Sequence, residues 1–245
     1  MGAVELLLVR HGESEGNVAA ADAERLGAET IAVPARDADV ELTDRGREQA
    51  RALGVHLGQL PPHLLPESIW VSPYRRAHQT ALLAIEAGGL GLQLRLDERL
   101  RDRELGVIDA LTALGVERRM PSEAQRRRWV GKFYYRPPGG ESWADVALRV
   151  RSLISDLDRE EDGRRVLIVC HDAVISLFRY VAEQIPEQEL LETARRHPIP
   201  NAAITQLVRP SGTGAWSATI VSSADHLEEH GADVTQHNGE PDEHA

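Results

Sequence analysis

Two short apolar runs, LLLV at residues 6–9 and VLIVC at 166–170, each end within two residues of a histidine. Arg10, His11 and Gly12 follow the first; His171 and Asp172 follow the second. Four or five continuous apolar residues, without the alternation of a half-exposed strand, predict strands buried on both faces. Such strands occur almost only in parallel sheets covered by helices on both sides. In open sheets of that kind the ligand crevice lies beyond the carboxyl ends of the strands. Both histidines therefore fall where a site is expected. A core has no use for a guanidinium, an imidazole and a glycine at that point, but an anion site can use all three.

The rest of the chain supports the same class. Further strands are predicted at 68–71 and 92–96, and two more at 202–208 and 217–221. Helices are predicted at 14–26, at 43–60 with Thr43 as N-cap, at 74–86 behind Pro73, at 142–157 and at 173–182. The helix at 142–157 carries Val146, Val150, Leu153, Ile154 and Leu157 at spacings of three and four. Alternating strands and helices predict an α/β fold: a three-layer α/β/α sandwich with a mostly parallel central sheet. One domain is expected over 1–223, with residues 104–140 as an insertion or lid. Residues 224–245 hold seven acids and no lysine or arginine, and are expected to be a disordered, solvated tail.

The formal net charge of −11 argues against a nucleic-acid partner. No apolar run reaches the roughly 18 residues that predict a membrane span, and no secretory leader is apparent. The single cysteine, Cys170, fits a reducing, cytoplasmic setting, and reads as a buried strand residue. No HExxH or Cys/His cluster is apparent, so neither metal nor cofactor is expected.

Two further segments bear charge near predicted strand ends. In SPYRRAHQTA (72–81), Arg75 and Arg76 fall in a first helical turn, where cations oppose the helix dipole unless an anion is near. In ERLRDRELG (98–106), Asp102 and Glu104 sit among three arginines. These parts suit phosphoryl transfer. Arginines grip the phosphate oxygens, a neutral imidazole attacks phosphorus, and a carboxylic acid protonates the leaving oxygen and then activates water. Arginine supplies the charge that a metal supplies elsewhere.

With RHGESEGN (10–17), LTDRGREQA (42–50), SPYRRAHQTA, PGGESWADVALRV (138–150), VLIVCH (166–171) and IPNAAITQL (199–207) in order, the chain resembles the phosphoglycerate mutase-like histidine phosphatase superfamily. The resemblance implies His11 as nucleophile, Arg10 and Arg76 in the phosphate pocket, His171 as the second pocket histidine, and Asn17 as a phosphate or substrate contact. It implies Asp102 as the acid, four residues before Gly106, where the family more often has Glu; Glu104 is the alternative. Asp172 stands where the family usually has Gly and reads as a cap of the following helix. Arg136 is the best candidate for a second anion contact from the 104–140 region.

The expected substrate is a small phosphorylated metabolite, cleaved as a phosphomonoester. A mutase that returns the phosphoryl group to another hydroxyl is the nearest alternative, disfavoured by RDRELGVIDAL at the acidic loop. A non-catalytic phospho-ligand-binding module is the alternative of another class. The sequence assigns no oligomeric state.

Overall fold

The computed structural model describes residues 2–33 and 36–237. Among these, six strands form one sheet in the order β3-β2-β4-β1-β5-β6. They are β1 (Glu5–Arg10), β2 (Ser68–Val71), β3 (Leu94–Leu96), β4 (Arg165–Cys170), β5 (Ile204–Val208) and β6 (Ser217–Ser223). The first four run parallel, while β5 lies antiparallel on β1 and β6 antiparallel on β5. The register sets Arg10 opposite Cys170, so β1 and β4, the two central strands, deliver His11 and His171 side by side at the carboxyl end of the sheet.

Side chains alternate across the sheet, as strand geometry requires. Leu6, Leu8, Val166 and Ile168 face a layer formed by α6 (Trp143–Glu160) and α7 (Asp172–Ala182). Leu7, Val9, Leu167 and Val169 face α2 (Asp44–Gly58) and α3 (Arg75–Gly88). Apolar residues on both faces explain why the two runs read as continuous, and the three-layer α/β/α expectation holds. The α2–α3 contact is close because a Cβ on Gly54 would collide with the Ala84 carbonyl.

The remaining helices are α1 (Glu15–Arg25), α4 (Ala113–Arg119), α5 (Pro121–Val130), α8 (Glu187–Arg196) and α9 (Asp225–Glu229). Thr43 caps α2 through the Gly46 N–H, and Ser14 caps α1 in a capping box with Asn17. None of the helices of the described residues is long and apolar enough to cross a membrane.

The expectation of a solvated tail from residue 224 fails for residues 224–237. There Leu227 and His226 are buried on α9, which packs on α2. The segment after it is held by backbone and side-chain bonds: Gln49 Nε2 donates to the Asp233 carbonyl and Thr235 Oγ1, both at 2.8 Å, and Asn201 N–H donates to the Thr235 carbonyl at 2.9 Å. Acidity outweighed one leucine in the sequence reading, but burial is decided by a few residues on one face. Residues 238–245, with the remaining acids, lie outside the described part.

Candidate active site

The loop leaving β1 is locked before it reaches the pocket. Gly12 N–H donates to Thr80 Oγ1 at 3.0 Å, and Glu13 N–H to Gln49 Oε1 at 2.8 Å. A Cβ on Gly12 would collide with the Gly46 carbonyl oxygen, so glycine is required there for close approach to α2. This geometry presents His11, 3% exposed, at the pocket floor.

The protonation of His11 follows from its neighbours. Nδ1 lies 2.7 Å from the Gly12 carbonyl oxygen, which can only accept, so Nδ1 carries the proton and Nε2 keeps its lone pair. Arg76 Nε donates to that Nε2 at 3.2 Å. Burial first, then the charges of Arg76, His171 and Arg10, hold the His11 imidazole well below its ordinary value. The ring is therefore neutral at neutral pH, with a lone pair on Nε2.

Around it stand the other predicted residues. Arg10 is buried, donates to the His237 carbonyl at 3.0 Å and to the Ile199 carbonyl, and among the described residues its Nε has no partner. The His11 and His171 rings lie 5.1 Å apart, edge to face. His171 Nε2 is 2.8 Å from Ser72 Oγ, and its Nδ1 is 3.2 Å from Asp102 Oδ2. Arg76, in the first turn of α3, reaches Asp102 Oδ2 at 3.0 Å, whereas Arg75 turns outward to Glu41. Burial pushes the Asp102 carboxyl up, but His171 and Arg76 outweigh it and hold the group well below the usual carboxylate range. Glu104 also lines the pocket, accepting a 2.7 Å hydrogen bond from the Tyr74 hydroxyl.

Asn17 lines the pocket too. Its side-chain oxygen accepts from Ser14 N–H and Asn201 Nδ2, both at 3.2 Å, which leaves the amide nitrogen for a ligand. Cys170 is buried, and burial pushes its thiol up, away from reactivity.

Two expectations are corrected. Arg136 is exposed and does not line the pocket; it pairs with Asp145, the residue that closes the capping box of α6. Lys132 lines the pocket instead, with its ammonium 5.1 Å from the Trp143 ring centre. Asp172 is not the cap of α7. His171 holds the N-cap position without a side-chain bond, and Asp172 opens the helix with Oδ2 3.8 Å from Arg10.

The sequence reading missed Asp37. It sits on the loop before α2 and grips the Arg76 guanidinium by both carboxylate oxygens, at 3.0 and 3.1 Å. That fork-on-fork contact is the one a phosphate makes with arginine. Nothing near Asp37 in the sequence signals it.

Residues 6–220 match the histidine phosphatase superfamily (branch 1). The chain belongs to that superfamily. It is 31% identical over 194 residues to a glucosyl-3-phosphoglycerate phosphatase of Mycobacterium tuberculosis, covering 76% of this chain and 78% of the relative. It is 32% identical over 184 residues to a human 6-phosphofructo-2-kinase/fructose-2,6-bisphosphatase, covering 75% of this chain but only 34% of that protein. The native structure of mycobacterial glucosyl-3-phosphoglycerate phosphatase superposes with a TM-score of 0.71 at 28% identity, over 90% of this chain and 99% of the other.

Proposed function

We propose that this histidine phosphatase hydrolyses a phosphomonoester of a small metabolite through a covalent phosphohistidine on His11. The observation that supports it most is a neutral, buried imidazole with its Nε2 lone pair turned to Arg76, beside a buried arginine Nε without a partner. An unsatisfied buried donor costs about 1–3 kcal/mol. A phosphate oxygen removes that cost at Arg10.

In this reading the phosphoryl group displaces Asp37 from Arg76 and lies between Arg10, Arg76 and His171. His11 Nε2 attacks phosphorus in line with the ester oxygen, while the guanidinium groups hold the equatorial oxygens. Asp102 is ionised in the free protein, so the proton for the leaving alkoxide enters with the substrate as its monoanion and passes through Asp102. Asp102, again a carboxylate, then takes a proton from the water that cleaves the phosphorus–nitrogen bond. Phosphate leaves with that proton, so Asp102 is again a carboxylate and His11 returns neutral.

Substrate choice rests on the rim. Lys132 and Arg103 line the pocket beyond the phosphate position, which favours an ester carrying a second acidic group. The name of the mycobacterial relative, a phosphatase of a glucosylated phosphoglycerate, supports such a substrate class. The reading includes a cytoplasmic location, supported by the one buried thiol.

The test is phosphate release from p-nitrophenyl phosphate and from a panel of phosphorylated metabolites, with chelator present. Turnover with free phosphate and no isomerised ester supports the proposal. An isomerised product without phosphate release makes the protein a mutase, and tight ester binding without turnover makes it a binding module.

A further inference from the structure

The short helix α9 and its C-cap read Asp225-His226-Leu227-Glu228-Glu229-His230. The His230 N–H donates to the His226 carbonyl at 3.2 Å, so the two histidines stand one turn apart on one face. That face meets the last turn of α2 at His56. The His56 and His226 rings are 5.1 Å apart, and His56 and His230 6.4 Å. One donor atom from each of His56, Glu229 and His230 lies within 4.8 Å of the others.

Three imidazoles packed together bring no apolar gain that leucine would not bring better. They also leave polar atoms stranded: among the described residues the Nε2 atoms of His226, itself 3% exposed, and of His230 are buried without a hydrogen-bond partner. Nearly all buried polar side-chain atoms are satisfied, so two orphans in one cluster need a cause.

We propose that His56, Glu229 and His230, whose donors already lie close together, bind a first-row transition metal of the zinc class, with the orphaned Nε2 of neighbouring His226 drawn in as the fourth ligand, and that the metal staples α9 to α2. Three imidazole nitrogens and one carboxylate oxygen suit zinc in tetrahedral geometry, at about 2.0–2.2 Å per ligand. Drawing the three donors of His56, Glu229 and His230 in from at most 4.8 Å takes about an ångström of movement at a five-residue helix, and His226, outside that set, moves further. The site stands apart from the phosphoryl pocket and takes no part in its chemistry. Its effect is mechanical: α9 leads into the segment whose His237 carbonyl holds Arg10 and whose Thr235 holds Asn201. It also departs from the expectation of no metal, because the histidines lie in a stretch whose acidity read as solvated.

The experiment is titration of the untagged full chain with zinc chloride by calorimetry, alongside thermal unfolding, for wild type, His230→Ala, His56→Gln and the surface variant Glu229→Gln. The expected result is one zinc per chain and a melting temperature about 5 °C higher at hundredfold excess over the dissociation constant. Binding should weaken about tenfold or more in each histidine variant. Glu229→Gln, exposed and therefore folded, should weaken it less. No saturable zinc site, or equal binding in wild type and all three variants, overturns the proposal. Phosphatase turnover is the independent control and should survive chelation, so failure of the metal site leaves the phosphatase reading standing.

Discussion

The floor of the pocket and its rim are built by different means. On the floor, Arg10, His11 and His171 hang directly from β1 and β4, and Arg76 from the first turn of α3. All are less than 5% exposed. Each is fixed by main-chain or buried side-chain partners. On the rim, Asp37, Glu104 and Lys132 stand on loops, and their partners are other side chains that substrate can displace. In the proposed reading the contrast divides the labour: the floor carries the attack on phosphorus, and the rim the choice of ester.

Substitution on the floor should therefore stop chemistry, and substitution on the rim should shift affinity. His11→Ala removes the nucleophile and should lower kcat for p-nitrophenyl phosphate by about 10⁴-fold or more. Retained hydrolysis would break the comparison at its strongest point. Asp102 sits between the two regions, tied to His171 and Arg76 yet on a loop. Asp102→Asn should lower kcat about 10²- to 10³-fold, whereas Glu104→Gln should change it less than about fivefold. The reverse result moves the acid to Glu104.

Smaller effects belong to the rim. Lys132→Ala should raise KM about five- to tenfold for an ester with a second acidic group and leave p-nitrophenyl phosphate within about twofold. Arg136→Ala should change neither, since its partner is Asp145. Asp37→Ala frees the Arg76 fork and should tighten inhibition by inorganic phosphate about threefold, read as a lower Ki.

The smallest effect is on pH. His11 is held below its ordinary 6.5 and Asp102 below 3.8, so both free-enzyme groups are deprotonated at neutral pH. The proton must come with the substrate monoanion, whose fraction falls above about pH 6. The kcat/KM profile should thus peak on the acid side of neutrality. Stability runs the other way. The unfolded chain protonates its histidines near 6.5 while folded His11 and His171 resist, so stability is full above that pH and declines as pH drops below it. His11→Asn should flatten that decline in denaturant midpoints measured from pH 7 to 5.

The same division explains what was legible in the sequence. The floor showed because buried parallel strands interrupt their apolar run only for a reason, and both interruptions carried histidine. The three-layer fold followed from the same runs. The rim did not show. Lys132 and Arg136 are four residues apart in one basic stretch, and only the capping box of α6 reveals that Asp145 claims Arg136. Asp37 lies 39 residues before Arg76 and meets it only through the folded loop. The segment 224–237 shows the same limit: its acids dominate the composition, while His226 and Leu227, the large side chains that bury it, are only two.

The central claim is the covalent intermediate on His11. Rapid quenching of the protein with phosphorus-32-labelled p-nitrophenyl phosphate, followed by peptide mapping, tests it directly. A label that survives alkali, is lost in acid, maps to the peptide bearing His11 and is absent in His11→Ala is the predicted result. A label that is lost in alkali, or turnover by wild type with no label on the protein at any quench time, would contradict it.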